Sequence, residues 1–148
     1  MKILFIIPLI LFLSIPVGMY VSMPNMDVMF ENDVSISKMN NSYIVNQEFT
    51  VLIDDEGIFI PEGYNTKLPT IPFVLNTNPG PEILAYILHS FLYECPEAYS
   101  RAEVDALFYH ALRSVGVSKW RSFIKFFIIK FYARSLFNEG ATCYEQPD

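Results

Sequence analysis

The chain is short of the residues on which most site chemistry depends. It holds two cysteines, Cys95 and Cys143, and two histidines, His89 and His110. No cysteine has a second ligand at zinc-type spacing, so no metal centre is expected. The six glycines form no phosphate-cradling loop, and no segment repeats, which sets aside nucleotide-binding loops and solenoids. No motif implies a cofactor. Bases are outnumbered, 10 Lys+Arg against 16 Asp+Glu, so nucleic acid is not expected as a partner. One acid-free stretch breaks that balance. From Ala106 to Asn138 there is no Asp or Glu, while Arg113, Lys119, Arg121, Lys125, Lys130 and Arg134 all fall there.

What the chain does have is apolar bulk. Hydrophobic residues make up 52% and aromatics 16% of 148 residues, enough for one well-packed domain and too much for disorder. The first landmark is an uncharged run from Ile3 to Ser22 behind Lys2. About twenty helical residues span one hydrocarbon core, so residues 1–22 read as a signal-anchor or a signal peptide. The small residues a signal peptidase prefers are badly placed around Gly18 and Ser22, which favours an uncleaved anchor. With Lys2 on one side and Asp27, Glu31 and Asp33 on the other, the domain is expected outside the cytoplasm. Cys95 and Cys143 would then sit where a disulfide can form between the end of a helix and the tail.

Residues 23–41 read as a linker with one short strand, 42–140 as a compact α+β domain, and 141–148 as a tail. Tyr43–Val45, Glu48–Ile53 and Ile58–Ile60 have strand composition, with Asp54-Asp55-Glu56-Gly57 as a hairpin tip whose glycine supplies the positive φ. Pro61, Pro69, Pro72, Pro79 and Pro81 forbid regular structure and imply an extended loop. A nearly all-apolar helix follows over 81–94, placing Tyr86, His89 and Tyr93 on one side. Ser100-Arg101-Ala102-Glu103 is a capping box opening a second helix, which buries Val104, Leu107, Phe108, Ala111 and Val115 and stops at Gly116. His110 faces away from that core.

A third helix spans 118–137. Its expected core stripe is Trp120, Phe123, Ile124, Phe127 and Phe131, with Phe126, Ile129 and Leu136 forming a second stripe opposite. The fold class is therefore α+β: a short antiparallel sheet with about three packed helices, preceded by one N-terminal hydrophobic helix.

Ile60-Pro61-Glu62-Gly63-Tyr64-Asn65-Thr66, Pro72, His89-Ser90-Phe91-Leu92-Tyr93, and Arg101 with Asp105-Ala106-Leu107-Phe108 carry a resemblance. Together they resemble domain of unknown function 1353, a family common in phage and bacterial genomes. Its pattern runs V-P-x-G-F-x-T-D-x-A-S-x-P, then H-D-x-L-Y, then R-x-x-x-D-x-x-F. The chain departs from it at Lys67, at Pro69-Thr70 and at Ser90, so two of the three acids in the pattern are missing. The resemblance covers roughly residues 43–137 and implies a phage-type accessory protein.

Two readings of the polar residues stand side by side. His89 and Asp105 could form an acid–base pair in a cell-envelope hydrolase acting on peptidoglycan or peptide, since a carboxylate fixes an imidazole tautomer. Alternatively they belong to a buried structural cluster with Thr66, Tyr93 and Arg101. No motif places a Ser or Cys nucleophile, and buried polar groups must be satisfied in any fold, so the structural reading is the stronger. The expected role is that of a membrane-anchored or virion-associated accessory protein that binds an unidentified protein partner and catalyses nothing.

Overall fold

A computed structural model of the chain describes residues 23–31, 33–40, 42–67, 80–94 and 99–132. The N-terminal apolar run, Cys95, Cys143, most of the proline-rich loop and the tail lie outside the described residues. Among the described residues six strands precede three helices: β1 (Val28–Phe30), β2 (Ile36–Met39), β3 (Ser42–Val45), β4 (Phe49–Ile53), β5 (Glu56–Ile60), β6 (Asn65–Lys67), α1 (Ile83–Glu94), α2 (Arg101–Ser114) and α3 (Lys119–Tyr132). A single 3-10 turn, Gly80–Glu82, leads into α1.

The class is α+β, but the expected single sheet is two. One has the order β1-β4-β5 and the other β2-β3-β6, all pairs antiparallel. Two strands, β1 and β2, lie in the stretch that reads as a linker. β1 has only three residues and β2 mixes polar with apolar ones, so neither announces itself, and each is fixed by pairing, β1 with β4 and β2 with β3.

Alternation does the work in β4. Phe49, Val51 and Ile53 are buried while Thr50 and Leu52 between them are half-buried, the period of two that a pleated strand imposes. The β4–β5 turn differs from expectation. Gly57 is inside β5, opposite Leu52, and the left-handed residues are Asp54 (φ 48°) and Asp55 (φ 70°). Positive φ at both central positions is what a two-residue turn needs to match strand twist. Asp tolerates that region better than most residues, and Asp54 Oδ1 accepts a 2.8 Å bond from the Asp27 amide, tying the turn to the approach of β1.

The helices cover these sheets. In α1 nine of twelve residues are buried, from Ile83 to Tyr93, so it is the central helix that its sequence describes. The α2 capping box forms as expected: the Glu103 carboxylate accepts from the Ser100 amide at 2.7 Å, and Ser100 Oγ accepts from the Glu103 amide at 3.4 Å. Val104, Leu107, Phe108 and Ala111 are buried, with Val115 half-buried. Gly116 (φ 89°) closes the helix, and the Val117 amide returns to the Leu112 carbonyl at 3.0 Å.

The orientation of α3 is the reverse of the sequence expectation. Its buried face is Ser122, Lys125, Phe126 and Ile129, whereas Trp120 is 64% exposed and Phe131 61% exposed. Phe123, Ile124 and Phe127, the rest of the expected core stripe, are half-buried. The reason is an acid outside the helix. Glu82 reaches α3 with both carboxylate oxygens, pairing with Lys125 Nζ and, at 3.2 Å, with Arg121. Lys125 also stands over the Tyr86 ring, 5.6 Å from its centroid. Partnered this way, a lysine can occupy an inner face that its charge alone would forbid. An acid in the turn that leads into α1 thus fixes the rotation of another helix.

Candidate polar site

His89 and Tyr93 are one turn apart on α1, and Arg101 and Asp105 are one turn apart on α2. The α1–α2 packing brings the two pairs face to face. Asp105 is the hub and is 2% exposed. Its Oδ1 accepts from the Tyr93 hydroxyl at 2.5 Å and from His89 Nε2 at 3.2 Å. Arg101 Nε stands 3.8 Å from Oδ2, an ion-pair distance rather than a hydrogen bond. From the same guanidinium, an N–H donates to the Lys130 carbonyl at 2.5 Å and so carries the network into α3. Three helices are pinned through one carboxylate and one arginine.

Apolar and aromatic surfaces close the cluster. The His89 ring lies 4.1 Å from that of Tyr93 and 5.1 Å from that of Phe108, and Phe108 in turn packs 5.0 Å from Tyr86. His89 is 5% exposed. Burial lowers its pKa below the usual histidine value; Asp105 pulls the other way, and the positive charge of Arg101 adds to the lowering. The ring is therefore neutral, and a carboxylate opposite Nε2 requires the proton to sit on that nitrogen. The Tyr93 pKa is raised, by burial first and by its bond to Asp105 second. Both groups hold their protons and direct them at the same acceptor.

In a nucleophile–His–Asp constellation the carboxylate holds one ring nitrogen and the other faces the reacting group. Here Asp105 takes Nε2, the outer nitrogen, leaving only Nδ1, the one nearest the main chain.

Thr66 is 1% exposed on β6, which lies against α1, but its Oγ1 makes no hydrogen bond among the described residues. It shares the core with the cluster without being bonded to it. Tyr64, two residues earlier, packs edge-on against Phe91 of α1 at 5.2 Å. These contacts give the strand motif and the helix motif a common purpose in packing. His110, expected at the surface, is half-buried, with Nε2 2.9 Å from the Pro24 carbonyl. Among the described residues no group of three or more His, Cys, Asp or Glu could hold a metal ion. No helix among them is long and apolar enough to cross a membrane.

The lowered His89 pKa has a measurable consequence. The unfolded chain binds a proton on this histidine near the ordinary value of about 6.5, while the folded chain resists it. Stability should therefore be fully present above that pH and decline as pH falls below it, by at most about 1.4 kcal/mol per pH unit. Thermal melts between about pH 7.5 and 5.5, above the range of ordinary carboxylates, should show that decline, and His89→Gln should remove it.

A family model described as Protein of unknown function (DUF1353) matches residues 43–129, which include most of β3, β4 to β6, α1, α2 and most of α3. No curated protein and no solved structure shows a significant match.

Proposed function

The chain belongs to the DUF1353 family, and on that premise we propose that it is a membrane-anchored, phage-encoded accessory or virion-associated protein that acts by binding and not by catalysis. The observation that supports this reading is the enclosure of His89. The only imidazole in the family motif is packed between Tyr93 and Phe108, with its outer nitrogen committed to Asp105. A cluster so satisfied is a means of holding α1, α2 and α3 in one arrangement. The surface they present is then the working part. Lys67 and Ser90, where the family pattern carries acids, fit a copy in which the packing residues persist and further acids are dispensable. The run from Ile3 to Ser22 supports the anchor, with the domain outside the cytoplasm.

The test pairs localisation with hydrolysis. Full-length chain expressed in bacterial cells should stay with the membrane after alkaline extraction, and its domain should be cut by protease added to spheroplasts. Purified chain should leave peptidoglycan and peptide substrates intact. Hydrolysis that disappears in a folded His89→Gln variant would establish the His89–Asp105 pair as a catalytic site and overturn the binding reading.

A further inference from the structure

The outward face of α3 is the surface that the fold leaves to be explained. At 100° per residue, Trp120, Phe123, Phe127 and Phe131 share an arc roughly opposite Ser122, Phe126 and Ile129, which face the core. Trp120 stacks on Phe123 at 6.5 Å and Phe127 packs on Phe131 at 4.7 Å, so the arc carries two aromatic pairs in a band. By the same rotation Lys119 and Lys130 flank it on one side, while Arg121 lies further round the helix and pairs with Glu82. There is no acid on α3. An aromatic strip bordered by bases is the composition of a helix lying in a headgroup layer, rings down and cations reaching the phosphates.

The course of the chain points to the same occupant. Pro24, the second residue beyond the apolar run, is held by its carbonyl to His110 of α2. The two residues from Ser22 to Pro24 reach only about 7 Å. From His110, ring contacts lead through Tyr109 (5.2 Å) and Phe126 (6.4 Å) to Phe123 (6.3 Å) and so to the aromatic band. The described chain nearest the run is thus tied, at Pro24, to α2, the helix against which α3 packs. The whole chain has a net charge of −6 and would be repelled by an anionic surface, so the local excess of bases on α3 is what would orient it.

We propose that this face of α3 docks on an anionic lipid surface, holding the domain flat against the bilayer that anchors it. The inference rests on the membrane-anchored reading above. Trp120 is the only tryptophan in the chain, so its fluorescence reports the contact directly. Full-length chain should be reconstituted into vesicles of phosphatidylcholine with and without about one third phosphatidylglycerol, the anionic lipid supplying the charge that basic helices recognise. In the anionic vesicles Trp120 emission should shift to the blue, be quenched by brominated acyl chains, and lose about half its quenching by aqueous acrylamide. Lys119→Glu with Lys130→Glu should abolish the bromolipid quenching while the chain still floats with the vesicles.

If Trp120 stays acrylamide-accessible and unquenched by bromolipid in vesicles that carry the chain, docking is overturned and the anchor stands. A chain that does not float with either vesicle overturns both. Blue-shifted, acrylamide-protected emission in detergent solution without lipid would show the face covered by the chain itself or a second copy, and would also overturn the proposal.

Discussion

Replacing Asp105 with alanine is expected to cost about 3–5 kcal/mol, the range for removing one partner from a buried charged cluster. The loss has three parts that act in one direction. His89 Nε2 and the Tyr93 hydroxyl both lose their acceptor in a site too closed for water to replace it freely. Arg101, 3.8 Å from the carboxylate, is left with a half-buried positive charge facing a neutral cavity. In a domain of this size the melting temperature should fall by roughly 10 °C or more. Asp105→Asn retains an oxygen for one of the donors and should lose less. A double-mutant cycle with His89→Ala, followed by chemical denaturation, separates the pair's coupling from the cost of the cavity. Near-additive losses would mean that the 3.2 Å contact contributes nothing of its own.

Phe108→Ala should be comparably damaging, by about 3–5 kcal/mol, for a different reason. Phe108 is fully buried and lies between Tyr86 and His89, so its removal opens a void shared by both interacting faces of α1 and α2. No hydrogen bond is deleted. The enclosure that lowers the His89 pKa is weakened, however, and the pH-dependent loss of stability below about 6.5 should shrink with it. Trp120→Ala is the control. The side chain is larger but lies outward, and its removal should change stability by less than about 0.5 kcal/mol. Equal losses at the two positions in denaturant titrations would contradict the rotation assigned to α3.

Local signals account for much of this architecture. The capping box at Ser100–Glu103, the stop at Gly116 and the buried character of α1 depend on residues within a turn of one another, and each was legible. So was the grouping of His89, Tyr93, Arg101 and Asp105, because a polar residue at helical spacing on an apolar face requires a partner. Legibility failed where an interaction is non-local. Val28–Phe30 and Ile36–Met39 become strands through pairing that their own composition does not demand. Helical spacing alone puts the larger aromatics of α3 inside, and nothing within Lys119–Tyr132 indicates that Lys125 is neutralised by Glu82. The Arg101 bond to the Lys130 carbonyl was unreadable for the same reason, since every residue offers a carbonyl. Thr66 was grouped with the cluster by its place in the motif, whereas the structure buries it in the same core without a hydrogen bond to it.

The central claim is that His89 is a closed, neutral donor to Asp105. Nitrogen-15 NMR of the histidine side chains tests it most directly. The account predicts a neutral ring at about pH 7.5, with its proton on Nε2, that takes up a second proton only below the ordinary histidine value of about 6.5. A His89 resonance that protonates at or above about 6.5, or a ring carrying its proton on Nδ1 with Nε2 free, would contradict it.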